Sequence, residues 1–186
     1  MENKLIKKSD NLFLVEKFWD EEICNTIISL VEKDNVLPSE ETVKDQITLD
    51  DNLDSRNDFM LYLQNEDLAN IIFQSLSPFF KDICFDNIVP TGVHQDLRVY
   101  KYLPKQEFKR HRDGERVVSD YEKSYFSLLI YLNDNYEGGT TLFDNCEIFP
   151  KTGLACFFPH KLEHSGTIVN SGNKFILRGN ILFKKL

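Results

Sequence analysis

The stretch FKRHRDGERV, residues 108–117, sets a histidine two places before an aspartate. In extended chain, residues two apart project to one side, so His111 and Asp113 can both face a single ion. Imidazole and carboxylate together suit a divalent first-row metal. Two ligands are too few, and the chain holds two histidines further on, His160 and His164. Two imidazoles and one carboxylate make the donor set that non-haem iron(II) uses when it keeps positions open for other molecules. By type alone, either downstream histidine completes it. A polar turn can also produce His-x-Asp, so the pattern is read with its surroundings.

A carboxylate-bearing co-substrate beside such a metal needs a fixed cation. Lys174 and Arg178 lie in the apolar run KFILRGNILF, just past the candidate third ligand. A cation in an apolar strand either buries against a partner or carries its charge out to solvent. Phe108, Tyr125, Phe143, Phe157 and Phe158 are read as core packing or as pocket lining. Arg116 and the polar stretch 112–123 are candidates for a lid, since loops beside barrel sites often serve so.

These residues need elements to hold them. NLFLVEKFW alternates as a strand does. Asp20 can cap a helix over DEEICNTIISLVEK that places Ile23, Ile27, Leu30 and Val31 on one face. Residues 34–58 read as a long polar loop. NEDLANIIFQSLSPFF reads as a second amphipathic helix, broken near Pro78. The second half changes character. LRVYKYL, YFSLLIYLN, CEIFP, GLACFFP, SGTIV and KFILRGNILF are short β-prone runs punctuated by Gly, Pro, Asn and Asp. This order predicts an α+β, mainly β fold: N-terminal helices packed on a closed antiparallel sandwich or jelly roll. The whole chain, 1–186, reads as one domain, with a helical support region over 1–90 and a β core carrying the metal site over 91–186.

The 186 residues suffice for one hydrophobic core, enriched by fifteen Phe and seven Tyr. The formal net charge of -8 argues against broad binding to nucleic acid or anionic membrane. No apolar run approaches the ~20 residues that span a bilayer, and MENKLIKKSD lacks the apolar core of a secretion signal. Cys24, Cys84, Cys146 and Cys156 are scattered with no Cys-x-x-Cys, which suits buried, reduced thiols and a cytoplasmic setting.

Three strings then agree in order: LRVYKYLPKQEFKRHRDG, SLLIYLNDNYEGGTTLFDN and IFPKTGLACFFPHKLEHSGTIVNSGNKFILRGNILF. With these the chain resembles the Fe(II)/2-oxoglutarate-dependent dioxygenases, in the branch of prolyl 4-hydroxylase catalytic domains, over roughly residues 95–184 and more faintly from about 52. The resemblance implies a double-stranded β-helix (jelly roll, cupin-like) core. It implies Fe(II) on His111, Asp113 and His164, with His160 left as a loop or neighbouring residue. In the family a tyrosine nine residues before the His-x-Asp touches 2-oxoglutarate, and Tyr102 stands there. A lysine or arginine ten residues after the last histidine holds the far carboxylate, and Lys174 has that spacing. Arg178 is a second candidate for that carboxylate. Departures exist: Lys105 replaces the usual Gly after the Pro of YLP, Gly138, Gly139, Thr140 and Thr141 stand for GGET, and His164, Ser165 and Gly166 for HEG. LDSRNDFMLYLQNEDLA resembles a segment of some bacterial members, which makes Arg56 and Asn57 candidates for substrate contact.

What the resemblance implies is hydroxylation of an amino-acid side chain, peptidyl proline first, with release of succinate and CO2. The cofactors implied are Fe(II), 2-oxoglutarate and O2, with ascorbate in support. Asp113 argues against halogenation, for which the family uses a small residue there. The expected partner is a peptide, protein or amino-acid substrate, for a monomer or homodimer without nucleic acid or membrane. A variant reading is hydroxylation of a free amino acid or small metabolite, its carboxylate gripped by Arg56 or Arg116. Readings of another class are a non-catalytic barrel that binds metal and 2-oxoglutarate, and a zinc hydrolase or cupin isomerase.

Overall fold

The computed structural model describes residues 3–9, 11–33, 59–81, 83 and 87–186. The 34–58 loop, Arg56, Asn57 and Cys84 lie outside the described residues. In chain order the elements are β1 (Lys4–Ser9), β2 (Leu12–Glu16), α1 (Glu21–Lys33), β3 (Phe59–Gln64), α2 (Glu66–Phe80), β4 (Ile88–Val93), β5 (Asp96–Tyr102), β6 (Phe108–His111), β7 (Val117–Ser119), β8 (Glu122–Tyr131), β9 (Glu137–Gly138), β10 (Thr141–Phe143), β11 (Cys146–Ile148), β12 (Ala155–Pro159), β13 (His164–Gly166), β14 (Val169–Ser171) and β15 (Lys174–Lys185).

The strands form a jelly roll. A large sheet runs β1-β2-β12-β8-β15-β5-β3, with β4 also on β15 and β7 also on β8. A small sheet runs β11-β10-β13-β6, and β14 pairs with β9. The period of two explains the layering. One set of alternate residues on the large sheet (Phe13, Val15, Leu97, Val99, Leu128, Ile130, Phe157, Leu177) packs with Cys24 and Ile27 of α1 and Ala69, Ile72 and Leu76 of α2. The other set (Leu12, Leu14, Tyr100, Tyr102, Leu129, Tyr131, Phe158, Ile176) packs with Phe143 and Ile148 of the small sheet. Helices, large sheet and small sheet are therefore three layers, with the site in the second interface. β15 is covered on both faces, which is why it reads as one long apolar run.

Several expectations are corrected. The first ninety residues are not simply helical: β1, β2 and β3 extend the large sheet, because Leu12 and Leu14 are needed in one core and Phe13 and Val15 in the other. Asp20 does cap α1, its Oδ1 accepting from Ile23 N at 2.9 Å. The buried face of α1, however, is Cys24 and Ile27 with Ile28 and Val31 beside them, while Ile23 and Leu30 are exposed. Pro78 does not break α2. A proline cannot donate to the carbonyl four residues back, and here the Ser77 hydroxyl donates to that Gln74 carbonyl at 3.1 Å. The run SGTIV is divided between β13 and β14, which lie in different sheets. Among the described residues no helix is long and apolar enough to cross a membrane.

Candidate metal centre

β6 ends at His111 and β13 begins at His164, and the antiparallel register places these two residues directly opposite each other. Their ring centroids are 4.2 Å apart. Asp113 completes the group, with one ligand atom from each of the three within 4.8 Å of the others. Contrary to the expectation of an extended strand through both residues, β6 stops at His111, so Asp113 is not placed by the pleat. Instead its N–H donates to the His160 carbonyl at 3.0 Å, which turns the carboxylate back toward the histidines. The three side chains are only 8%, 5% and 6% exposed, for His111, Asp113 and His164 in turn.

Both ligand rings are oriented in the same way. His111 Nδ1 lies 2.8 Å from the Lys109 carbonyl, and His164 Nδ1 lies 3.1 Å from the Leu162 carbonyl. A carbonyl only accepts, so both Nδ1 atoms carry hydrogen and both Nε2 lone pairs face inward. His111 Nε2 is 3.5 Å from Asp113 Oδ1, and His164 Nε2 is 3.8 Å from Oδ2. His111 Nε2 is buried and has no hydrogen-bond partner. Lone pairs converging with no proton between them fit a cation, and the donor set fits iron(II).

The charges agree. Burial alone raises the Asp113 pKa, but Arg178 Nη2, 2.8 Å from Oδ1, together with the Ser127 hydroxyl, holds it well below the usual carboxylate range. Burial pushes His164 down to about 4, with Asp113 opposing and His111 adding to the shift. Asp113 is thus ionised and His164 neutral near pH 7, the forms that bind metal.

Lys174 stands directly opposite Tyr102 across β15 and β5. It is 4% exposed. Its Nζ donates to the Gly139 carbonyl at 2.8 Å and lies 5.3 Å above the Tyr102 ring and 5.9 Å above that of Tyr131. Gly139, at φ 62, admits no side chain: a Cβ there would stand 2.9 Å from Tyr136 and 3.2 Å from Lys174. Tyr131 OH meets Thr141 Oγ1 at 2.7 Å nearby. Lys105 has φ 74, in the left-handed region that disfavours side chains. Arg178 is placed differently from the expectation. It lies on the same strand face as Lys174 but roughly 13 Å along, and its guanidinium binds Asp113.

The aromatic candidates separate into two groups. The Phe108 ring lies tilted against that of His111, centroids 3.7 Å apart, and Phe143 and Phe158 pack on His164. Phe157 and Tyr125 belong with the core on the helix side. The 112–123 stretch is largely a hairpin, β7 paired with the start of β8, with Val117 and Tyr121 exposed. Sequence reasoning passed over Ser124 and Ser127. Three apart, they belong on opposite faces of a regular strand. The β8–β15 register skips Tyr125, since Ile181 pairs with Phe126 and Leu182 with Ser124, and this bulge turns both serines to the site.

The family model described as the 2OG-Fe(II) oxygenase superfamily matches residues 97–182, which include all six site residues. A putative prolyl 4-hydroxylase of Acanthamoeba polyphaga mimivirus is 32% identical over 131 residues, taking in 59% of this chain and 53% of that protein. The chain thus spans about half the length of this relative. The fold is shared with a viral collagen prolyl hydroxylase of Paramecium bursaria chlorella virus 1 solved with 2OG (21% identity, TM-score 0.64, 92% of this chain and 96% of that one). It is shared also with a Pseudomonas putida prolyl-4-hydroxylase (15%, TM-score 0.61, 95% and 93%). A third is a Trichoplax adhaerens prolyl hydroxylase solved with a peptide of the hypoxia-inducible factor oxygen degradation domain (15%, TM-score 0.64, 93% and 84%).

Proposed function

We propose, from the match of residues 97–182 to the 2OG-Fe(II) oxygenase superfamily, that the protein is an Fe(II)- and 2-oxoglutarate-dependent dioxygenase that hydroxylates peptidyl proline. The observation that carries the reading is the convergence of His111, Asp113 and His164 on one point, in the same barrel interior as the buried, register-matched pair Lys174 and Tyr102.

Iron(II) held by the three ligands, with 2-oxoglutarate and oxygen, supplies the chemistry that puts one oxygen atom on the substrate and the other into succinate, with release of CO2. The chain's own residues hold and orient. The Lys174 ammonium receives the far carboxylate of 2-oxoglutarate, and Tyr102 hydrogen-bonds to it. A buried cation among aromatic rings favours such an anion strongly. Arg178 keeps Asp113 ionised. Phe108, Phe143 and Phe158 exclude water from the histidines. The substrate class is supported by the likeness to the mimivirus prolyl 4-hydroxylase relative. A cytoplasmic setting is supported by Cys24, Cys146 and Cys156, which are free.

A second reading, a free amino acid as substrate, is favoured by Arg98. It lies directly opposite Arg178 on one side and Tyr62 on the other, half-buried, with no acidic partner among the described residues. Such a cation suits a free carboxylate. The test is turnover of the purified protein with Fe(II), 2-oxoglutarate and heavy-isotope oxygen, offered proline-rich peptides and free proline in parallel. Labelled succinate that disappears on His111→Ala supports the oxygenase. Label in the peptides selects the first substrate, and label in free proline the second. No labelled succinate with either overturns the reading.

A further inference from the structure

His160 is not a ligand, yet it is 5% exposed and both its ring nitrogens are engaged. Nδ1 lies 2.8 Å from Ser127 Oγ, and Nε2 lies 2.8 Å from Ser124 Oγ. Ser127 Oγ is also hydrogen-bonded to Asp113 Oδ2. Ser124 Oγ accepts the Arg116 backbone N–H at 2.8 Å.

Counting hydrogens fixes the direction of this chain. An ionised carboxylate only accepts, so the Ser127 hydroxyl donates to Asp113. A hydroxyl has one hydrogen, so Ser127 must accept from His160, whose Nδ1 therefore carries hydrogen. Nε2 of the neutral ring is then an acceptor and takes the Ser124 hydroxyl. Ser124 oxygen takes the Arg116 amide. Every donor is used once, and the polarity runs one way, from the 112–123 hairpin to the metal ligand. The neutral state fits the burial of the ring, which depresses the His160 pKa to about 4. The main chain repeats the link, because the His160 carbonyl accepts the Asp113 N–H.

We infer that His160 is a positioning residue: through Ser127 it sets the orientation of the Asp113 carboxylate and ties it to the backbone at Arg116. This rests on the reading of His111, Asp113 and His164 as metal ligands. The carboxylate is then clamped from two sides, with Arg178 on Oδ1 and the serine–histidine relay on Oδ2. Partners behind a metal ligand typically govern affinity by about 10- to 100-fold.

The experiment uses Co(II) as a spectroscopic stand-in for the metal, titrated into the full chain and followed by visible absorption. His160→Leu removes both hydrogen bonds, and Ser127→Ala removes the contact to Asp113 with little change of volume. Each is expected to weaken Co(II) binding by about 10-fold or more and to alter the absorption bands. The double variant is expected to lose no more than the worse single one, since both act through one chain. His160→Gln, which keeps one donor and one acceptor, is expected to recover most of the affinity. Wild-type affinity and spectrum in Ser127→Ala, or losses that simply add in the double variant, overturn the inference. Co(II) binding that His111→Ala leaves intact overturns the ligand reading itself, and this inference with it.

Discussion

Arg178 Nη2 lies 2.8 Å from Asp113 Oδ1, and both side chains are at least nine-tenths buried. The chain thus neutralises its candidate metal carboxylate with a cation from the opposite sheet. Removing one member of a buried pair strands the other, at about 3–5 kcal/mol. Arg178→Met is therefore expected to lower the melting temperature of the metal-free protein sharply. The loss is expected to be smaller with a divalent ion bound, because the ion supplies charge to the same carboxylate. Calorimetry with and without Co(II) reads the difference.

Lys174 is expected to govern 2-oxoglutarate and not metal. Lys174→Met should weaken 2-oxoglutarate binding by about 30-fold or more, with Co(II) affinity within about twofold of wild type. Isothermal titration of each ligand separates the two. Equal loss of both would show that Lys174 supports the fold of the site and not the co-substrate.

Lys105 holds φ 74 without being glycine. Left-handed backbone costs a residue with a side chain about 1–2 kcal/mol, while glycine gives back part of that through a freer unfolded chain. Lys105→Gly is expected to stabilise by roughly 1 kcal/mol in urea denaturation. An unchanged or lowered midpoint would show that the lysine side chain compensates.

The metal-free protein is expected to lose stability on mild acidification. His160 and His164 sit near 4 in the folded state, both pushed down chiefly by burial, against 6.5 for a free histidine. The unfolded chain therefore binds protons that the folded one refuses. Their contribution is complete above pH 6.5 and is lost as the pH falls from there toward 4. Urea midpoints across that range should decline, and the decline should be smaller in His160→Gln, which has no imidazole at that position to protonate.

What was legible in the sequence follows from what the physics there depends on. The candidate metal group of His111, Asp113 and His164 could be singled out because its chemistry is rare and its order fixed, and Lys174 and Tyr102 as candidates beside it because they match a pattern spread across the chain. Most strands of the second half were legible as short β-prone runs set off by Gly, Pro, Asn and Asp, whereas β7, β9 and β10 are only two or three residues long and left no such run. Arg178 was legible as a buried cation but not as the partner of Asp113, since nothing local says which way a guanidinium turns. Ser124 and Ser127 share a face only because of the bulge at Tyr125, and a bulge leaves no mark in hydrophobic periodicity. β1 was not anticipated because it lies at the margin of the large sheet, where one face is solvated and the residues are polar.

The direct opposition of His111 and His164 also makes the ion a cross-link. β6 is the outermost strand of the small sheet and is only four residues long. An ion shared by these histidines would join residue 111 to residue 164 and close a loop containing β7 through β12. Closing a long loop lowers the entropy of the unfolded chain, as a disulfide does. Loss of the ion and fraying of that strand would then be one event. An emptied centre would expose a bare sheet edge, the kind of surface on which chains associate.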